Sequence, residues 1–298
     1  MNIDRSGESV MTFFLRGAWR AIAQGWMPAR VVELRGPAPA VPECNVIRAI
    51  RARYSLWLLL ALVSGCASRP VRSEVLAPLS PPTGIVYFVD GAGGYQKSRS
   101  SLESAVRKSG LALEVRSFDW NYPNGFGLAD EVDVAHSRAQ GERLAQELAL
   151  CQSLRPGVPV YVVAYSAGCA VALAAADSLS PDSVERIVLL SPSVSREYDL
   201  RKALRAARSG MDVFFSERDR FWLGVGTAIV GTSDGKRQSA AGRVGFVPPA
   251  DPLIARLRQY PWDPSVAWSG NTGGHSGTIR SSYLEAYVVP LLSPAGPR

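Results

Sequence analysis

Histidine is scarce in this chain: 298 residues contain two, His136 and His275. A metal centre built from several histidines is thereby excluded, and imidazole chemistry has only two candidates. Cysteine is nearly as rare. Four in such a length do not make a disulfide scaffold, and no C-x-x-C pair is present to hold zinc. No apolar run reaches the roughly 20 residues that span a bilayer. Charged residues make up 20% and apolar residues 47%, an ordinary globular composition. It excludes collagen-like, coiled-coil and wholly disordered chains.

What charge there is sits unevenly. The net value is +7, but residues 1–65 carry eight Arg against four acids, leaving 25 basic and 22 acidic residues beyond them. A nearly neutral body has no electrostatic footprint for nucleic acid, which calls for basic residues clustered on one face.

Arg48, Arg51 and Arg53 precede the apolar run Leu56-Trp57-Leu58-Leu59-Leu60-Ala61-Leu62-Val63, which ends in Ser64-Gly65-Cys66. A positive segment, a short apolar segment and small residues in that order make an export signal. Leu62-Val63-Ser64-Gly65-Cys66 resembles the lipobox of bacterial lipoproteins, which implies cleavage before Cys66 and acylation of its thiol. The expectation is an exported protein anchored by lipid on the periplasmic or outer face of a bacterial membrane. Residues 46–65 are then the signal and 66–83, rich in Pro, a tether. The preceding residues 1–45 show no sustained period and are expected to be a non-native or disordered extension, since translation from Val46 would give a signal of ordinary length.

From Gly84 the pattern changes to apolar runs alternating with amphipathic stretches. Strands are expected at 85–89, 113–118, 158–164, 184–190 and 211–215, and helices at 98–108, 128–154, 167–176, 200–207 and 281–292. Strand and helix alternating at this spacing imply an α/β domain over 84–298, doubly wound around a mainly parallel sheet. Cys151 and Cys169 then stand a helix length apart, too far for a disulfide, and read as small buried apolar residues.

Ala164-Tyr165-Ser166-Ala167-Gly168 stands where a strand passes into a helix. It resembles the G-x-S-x-G nucleophile elbow of α/β-hydrolases, with Ala in place of the first Gly. The turn is sharp and strained, so residues two before and two after the Ser must be small. The competing reading of the pentapeptide is a Ser that merely caps a helix. In the family an acid and then a His follow the nucleophile along the chain. Asp219, with Glu217 as second choice, falls in the loop after the strand 211–215. His275 falls in Gly270-Asn271-Thr272-Gly273-Gly274-His275-Ser276-Gly277, just before the last helix. The strand 85–89 ends in Asp90-Gly91-Ala92-Gly93-Gly94, where the family carries its oxyanion loop, commonly as His-Gly-x-Gly. Asp90 departs from that pattern. G-x-G-x-x-G fails here at Gln96, and no G-K-[ST] follows, so a nucleotide loop is disfavoured.

The resemblance implies a serine hydrolase with Ser166 as nucleophile, His275 as base and Asp219 as orienting acid. The oxyanion donors are the N–H groups of Ala92 and Ala167. The expected substrate is a small-molecule or lipid ester, and no cofactor or metal is needed. An acyltransferase, a peptidase or a catalytically silent binding module on the same scaffold stays open. The stretch 191–210 is too short for a large cap domain. Partial cover would come from 121–129 or 221–247, where Trp222 and Phe246 are candidate acyl contacts and, as readily, packing residues. His136, which precedes the acid, reads as a surface residue.

Overall fold

A computed structural model of the chain describes residues 82–94, 96–123, 127–219, 232–248 and 250–293, all within the unit Leu76–Arg298. The expected extension, export signal and Cys66 lie outside the described residues, as do most of the tether and Trp222.

Continuous apolar runs make strands that can be buried on both faces, and this is how the sheet is used. Its six strands are β1 (Gly84–Val89), β2 (Leu113–Ser117), β3 (Val160–Tyr165), β4 (Arg186–Leu190), β5 (Met211–Phe215) and β6 (Leu257–Pro261). They lie in the order β2-β1-β3-β4-β5-β6, and every neighbouring pair is parallel. Between them run α1 (Gln96–Ser109), α2 (Gly127–Val132), α3 (Val134–Leu154), α4 (Gly168–Ser178), α5 (Arg201–Ala206) and the short α6 (Ala241–Val244). The fold is α/β and doubly wound, as expected.

Alternate residues of each strand serve opposite cores. Ile85, Tyr87 and Val89 of β1 join Val160, Val162 and Ala164 of β3 against Leu144, Leu148 and Val171 of α3 and α4. Val86, Phe88, Tyr161 and Val163 face the other way, onto Leu102 and Val106 of α1 and Leu284 and Val288 near the C-terminus. α3 and α4 approach closely because α3 has Gly141 at the crossing. A Cβ there would stand 2.5 Å from that of Ala174. Cys151 and Cys169 are both free and buried.

Three elements differ from the sequence expectation. The single helix over 128–154 is two, because the Asp133 side chain accepts the His136 N–H and starts a new helix. The helix over 281–292 is a short α-turn (Ser281–Tyr283), a π-turn (Leu284–Val288) and a 3-10 turn (Val289–Leu291). Pro290 has no N–H to continue an α-helical ladder. The strand β6 was not expected at all, since Leu-Arg-Gln-Tyr-Pro has no apolar alternation.

β6 is held at the sheet edge by charge. On β5, fully buried Asp212 accepts from Arg186 of β4 at 2.8 Å and from Arg258 of β6 at 2.7 and 3.0 Å, with the Tyr260 hydroxyl at 3.0 Å. Removing one member of a buried ion pair strands the other's charge, at about 3–5 kcal/mol. Asp212→Ala should therefore lower the urea midpoint by a corresponding amount with the slope unchanged, as measured by equilibrium unfolding.

Candidate active site

The strand order reverses between β1 and β3, and a crevice opens outside the carboxyl ends of strands at such a point. The loops after these two strands are the ones that the sequence singles out. After β3 the backbone turns sharply into α4. Ser166 takes a φ of 52°, a left-handed conformation that costs a non-glycine residue about 1–3 kcal/mol. The turn is forced by how closely α4 sits on the end of β1. A Cβ at Gly168 would stand 2.2 Å from the Asp90 carbonyl oxygen and 2.6 Å from that of Val89.

The Ser166 side chain leads into a chain of two hydrogen bonds. Its Oγ lies 2.8 Å from His275 Nε2, and His275 Nδ1 lies 2.5 Å from Asp219 Oδ2. A carboxylate only accepts, so the ring proton belongs on Nδ1, and the Nε2 lone pair is left to accept the Ser166 hydroxyl proton. Asp219 is 2% exposed, whereas Glu217 is exposed and makes no such contact. Of the two acids considered, Asp219 is the one brought to the ring.

The loop bearing His275 is set from several sides. Ser191 Oγ donates to the His275 carbonyl at 3.2 Å and the Tyr165 hydroxyl to the same oxygen at 3.5 Å. The Tyr165 ring lies 5.2 Å from the imidazole, and burial raises its phenol above the ordinary range. Asn271 Oδ1 accepts the Gly273 N–H at 3.0 Å, while its carbonyl accepts Trp262 Nε1 at 2.8 Å. A Cβ at Gly277 would fall 2.0 Å from Asn271 Oδ1, which is why only glycine fits.

Across from the His275 loop, residues 91–94 follow β1. Gly91 packs on Ser166, where a Cβ would lie 3.2 Å from the serine's own. Three of the four N–H groups in this loop are committed: Gly91 to Asp90 Oδ1 (2.7 Å), Gly93 to Asp130 Oδ2 (2.8 Å), and Gly94 to the Gly91 carbonyl (3.2 Å). Among the described residues, the N–H groups of Ala92 and Ala167 donate to no acceptor. The resemblance seen in the sequence names the same two N–H groups as expected oxyanion donors.

Other residues here carried no sequence signal. Ser191 has a φ of 47°, a second strained serine, at the end of β4. Glu131 of α2 accepts from Ser233 Oγ at 2.9 Å, and Ser233 is in turn bonded to Ser193. Burial raises the Glu131 carboxyl, opposed by these hydroxyls and by the charge of His275. His136 is not part of the Ser166–His275–Asp219 chain. Nor is it a plain surface residue: it is half-buried, with Nε2 2.7 Å from the Trp120 carbonyl and its ring stacked on Tyr122 at 4.0 Å. The N-cap at Asp133 places it under that aromatic loop. Phe246 is 4% exposed and belongs to the core.

No protein-family model matches this chain, and no curated protein matches it in sequence. Solved structures are similar to it at low identity. A hydrolase of the alpha/beta superfamily from Xanthomonas campestris pv. campestris is 13% identical, covering 68% of this chain and 95% of its own, with a TM-score of 0.37. The esterase domain of a Rhodothermus marinus protein is 13% identical over 70% of this chain and 85% of its own, at a TM-score of 0.39. A cutinase from Trichoderma reesei is 15% identical over 71% and 77%, at 0.35.

Asp90 supplies a pH test of the loop. Burial pushes its carboxyl up to about 6, against the opposing Ser98 hydroxyl and Gly91 N–H. The folded chain thus holds a proton there that the unfolded chain releases near 3.8. Stability contributed by this group falls as pH rises from about 4 to 6 and stays lower above that. Asp90→Asn keeps an acceptor for both donors but does not ionise. It should gain stability relative to the parent across that interval, as read by urea unfolding at successive pH values.

Proposed function

We propose that the chain is a serine hydrolase that cleaves carboxylic esters, lipid esters included, through an acyl-enzyme on Ser166. The observation that carries this reading is the continuous path from the Ser166 hydroxyl through His275 to Asp219, on a serine held in left-handed backbone. A helix cap needs neither the strain nor the partners.

In this reading the Ser166 Oγ–H proton passes to His275 Nε2 as Oγ bonds to the ester carbonyl carbon. The carbonyl electron pair moves onto oxygen, facing the N–H groups of Ala92 and Ala167 and the N-terminus of α4. Asp219 holds the imidazolium's Nδ1–H and so fixes which nitrogen faces the serine. Collapse of the adduct breaks the bond to the alcohol, which leaves with the proton from Nε2. Water then adds to the acyl-enzyme by the same route in reverse, releasing the acid and restoring Ser166. Protein groups and water suffice for every step.

A fluorophosphonate probe, which reacts only with an activated serine, should label the parent and leave Ser166→Ala and His275→Ala unlabelled. Ser166→Ala should remain folded and lose at least about 10³-fold in hydrolysis of p-nitrophenyl esters. A folded parent that is neither labelled nor active would leave a binding module in its place. Parallel assays with thioesters and aminoacyl amides define the acyl chemistry. We also propose that Cys66 carries the lipid anchor, supported by the apolar run and small residues before it. Cys66→Ser should then move the protein from the membrane fraction to the soluble one, and unchanged partitioning would overturn the anchor.

A further inference from the structure

We propose that Asp130 is the positioning residue of the oxyanion hole, a clamp behind the loop that leaves the Ala92 N–H free to face the reacting carbonyl. This rests on the reading of Ser166 as the nucleophile.

Asp130 is fully buried on α2, and its partners among the described residues are donors from two loops rather than a cation. Oδ2 accepts the Gly93 N–H at 2.8 Å and Asn121 Nδ2 at 2.8 Å, while Oδ1 accepts the Tyr122 N–H at 2.9 Å. Asn121 Nδ2 also donates to the Gly91 carbonyl at 3.0 Å, so the loop is held at a carbonyl and at an N–H two residues on. α2 lies directly against the loop: a Cβ at Gly127 would stand 3.3 Å from the Gly93 nitrogen. Three N–H groups of residues 91–94 are thus spoken for, and Asp130 is what turns the one at Gly93 away from the nucleophile's side.

The clamp has a cost that makes it informative. A carboxylate near a site where negative charge develops works against that charge. If its field were its main influence on the reaction, neutralising it would speed acylation. If geometry is its contribution, neutralising it should slow the reaction, because an amide at position 130 turns an NH₂ toward donors and releases part of the loop. A misplaced oxyanion donor costs the transition state and leaves ground-state binding alone.

The experiment compares the full chain with Asp130→Asn. The assays are steady-state ester hydrolysis, affinity for an aryl trifluoromethyl ketone (which forms a tetrahedral adduct with a serine) and thermal unfolding. The expected result is a kcat reduced about tenfold to a hundredfold, with KM within about twofold and ketone affinity weakened by the same factor as kcat. The acid limb of the pH profile should stay in place, since Ser166, His275 and Asp219 are untouched. A kcat within about threefold of the parent, a faster variant, or a loss that falls on KM with ketone affinity unchanged would overturn the clamp. If Asp130→Asn does not fold, Asn121→Ala keeps the buried acid and removes its tie to Gly91. The same split between kcat and KM is then expected, and its absence is equally decisive. A parent that the fluorophosphonate probe does not label removes the nucleophile reading and this inference with it. A labelled parent with an indifferent Asp130→Asn removes the clamp alone.

Discussion

The contact at Gly168 sets the geometry of everything around it. α4 begins so close to the end of β1 that a methyl group at its first residue would overlap two backbone carbonyls. Close packing of protein interiors leaves no slack to absorb such a clash. With α4 drawn in, the chain leaving β3 has to turn within one residue, and Ser166 carries the strain of that turn. The same closeness brings Gly91, just past β1, alongside Ser166. The strained turn at Ser166 and the tight seat of α4 on the end of β1 both go back to one missing side chain.

Strain at Ser166 persists only if its surroundings over-determine it, and the core beneath α3 and α4 does so. Val89 and Ala164 pair across β1 and β3, and Ala164, Ala167 and Val171 are buried together in one cluster. The other half of the site depends on the far edge of the sheet. Asp219 follows β5, and the tie of β5 to β4 and β6 runs through Asp212 and its two arginines. Trp262, directly after β6, donates to Asn271, which shapes the loop carrying His275. Arg218, next to Asp219, lies over the Trp262 ring at 4.2 Å. An edge strand of unremarkable sequence therefore touches the loops of both Asp219 and His275.

That division explains what could be read from the sequence. β1 and β3 announce themselves because a strand covered on both faces reads as a continuous apolar run, and β4 and β5 do so despite one charged residue each, Arg186 and Asp212. The elbow is legible because its requirement is local: small residues at 164 and 168 around a serine. Asp219 and His275 are legible through order along the chain and the rarity of histidine. β6 is hidden because its residues are chosen for partners on β5 rather than for burial, so the charge of Arg258 reads as loop. The break at Asp133 is hidden because the apolar spacing continues across it. Asn121, Asp130 and Ser191 are polar residues whose roles exist only once distant segments meet, and no period or short motif marks them.

Four carboxyl groups, of Asp90, Asp130, Glu131 and Asp219, surround a centre proposed to generate an oxyanion. Left unmanaged, they would raise the barrier. Each is contained differently. Asp219 faces the His275 imidazole, which in the proposed reaction becomes cationic as the oxyanion forms, so its charge would be matched at that moment. Asp130 is enclosed by two backbone N–H groups and an amide. Asp90 and Glu131 are drawn toward their neutral forms by burial and hold hydroxyl partners. Among the described residues none of these acids is paired with Lys or Arg. Stabilisation then falls to oriented dipoles: the free N–H groups of Ala92 and Ala167 and the N-terminus of α4. Such dipoles act only along their direction, which makes the fixed orientation of residues 91–94 a condition of the chemistry rather than an incidental feature of the fold.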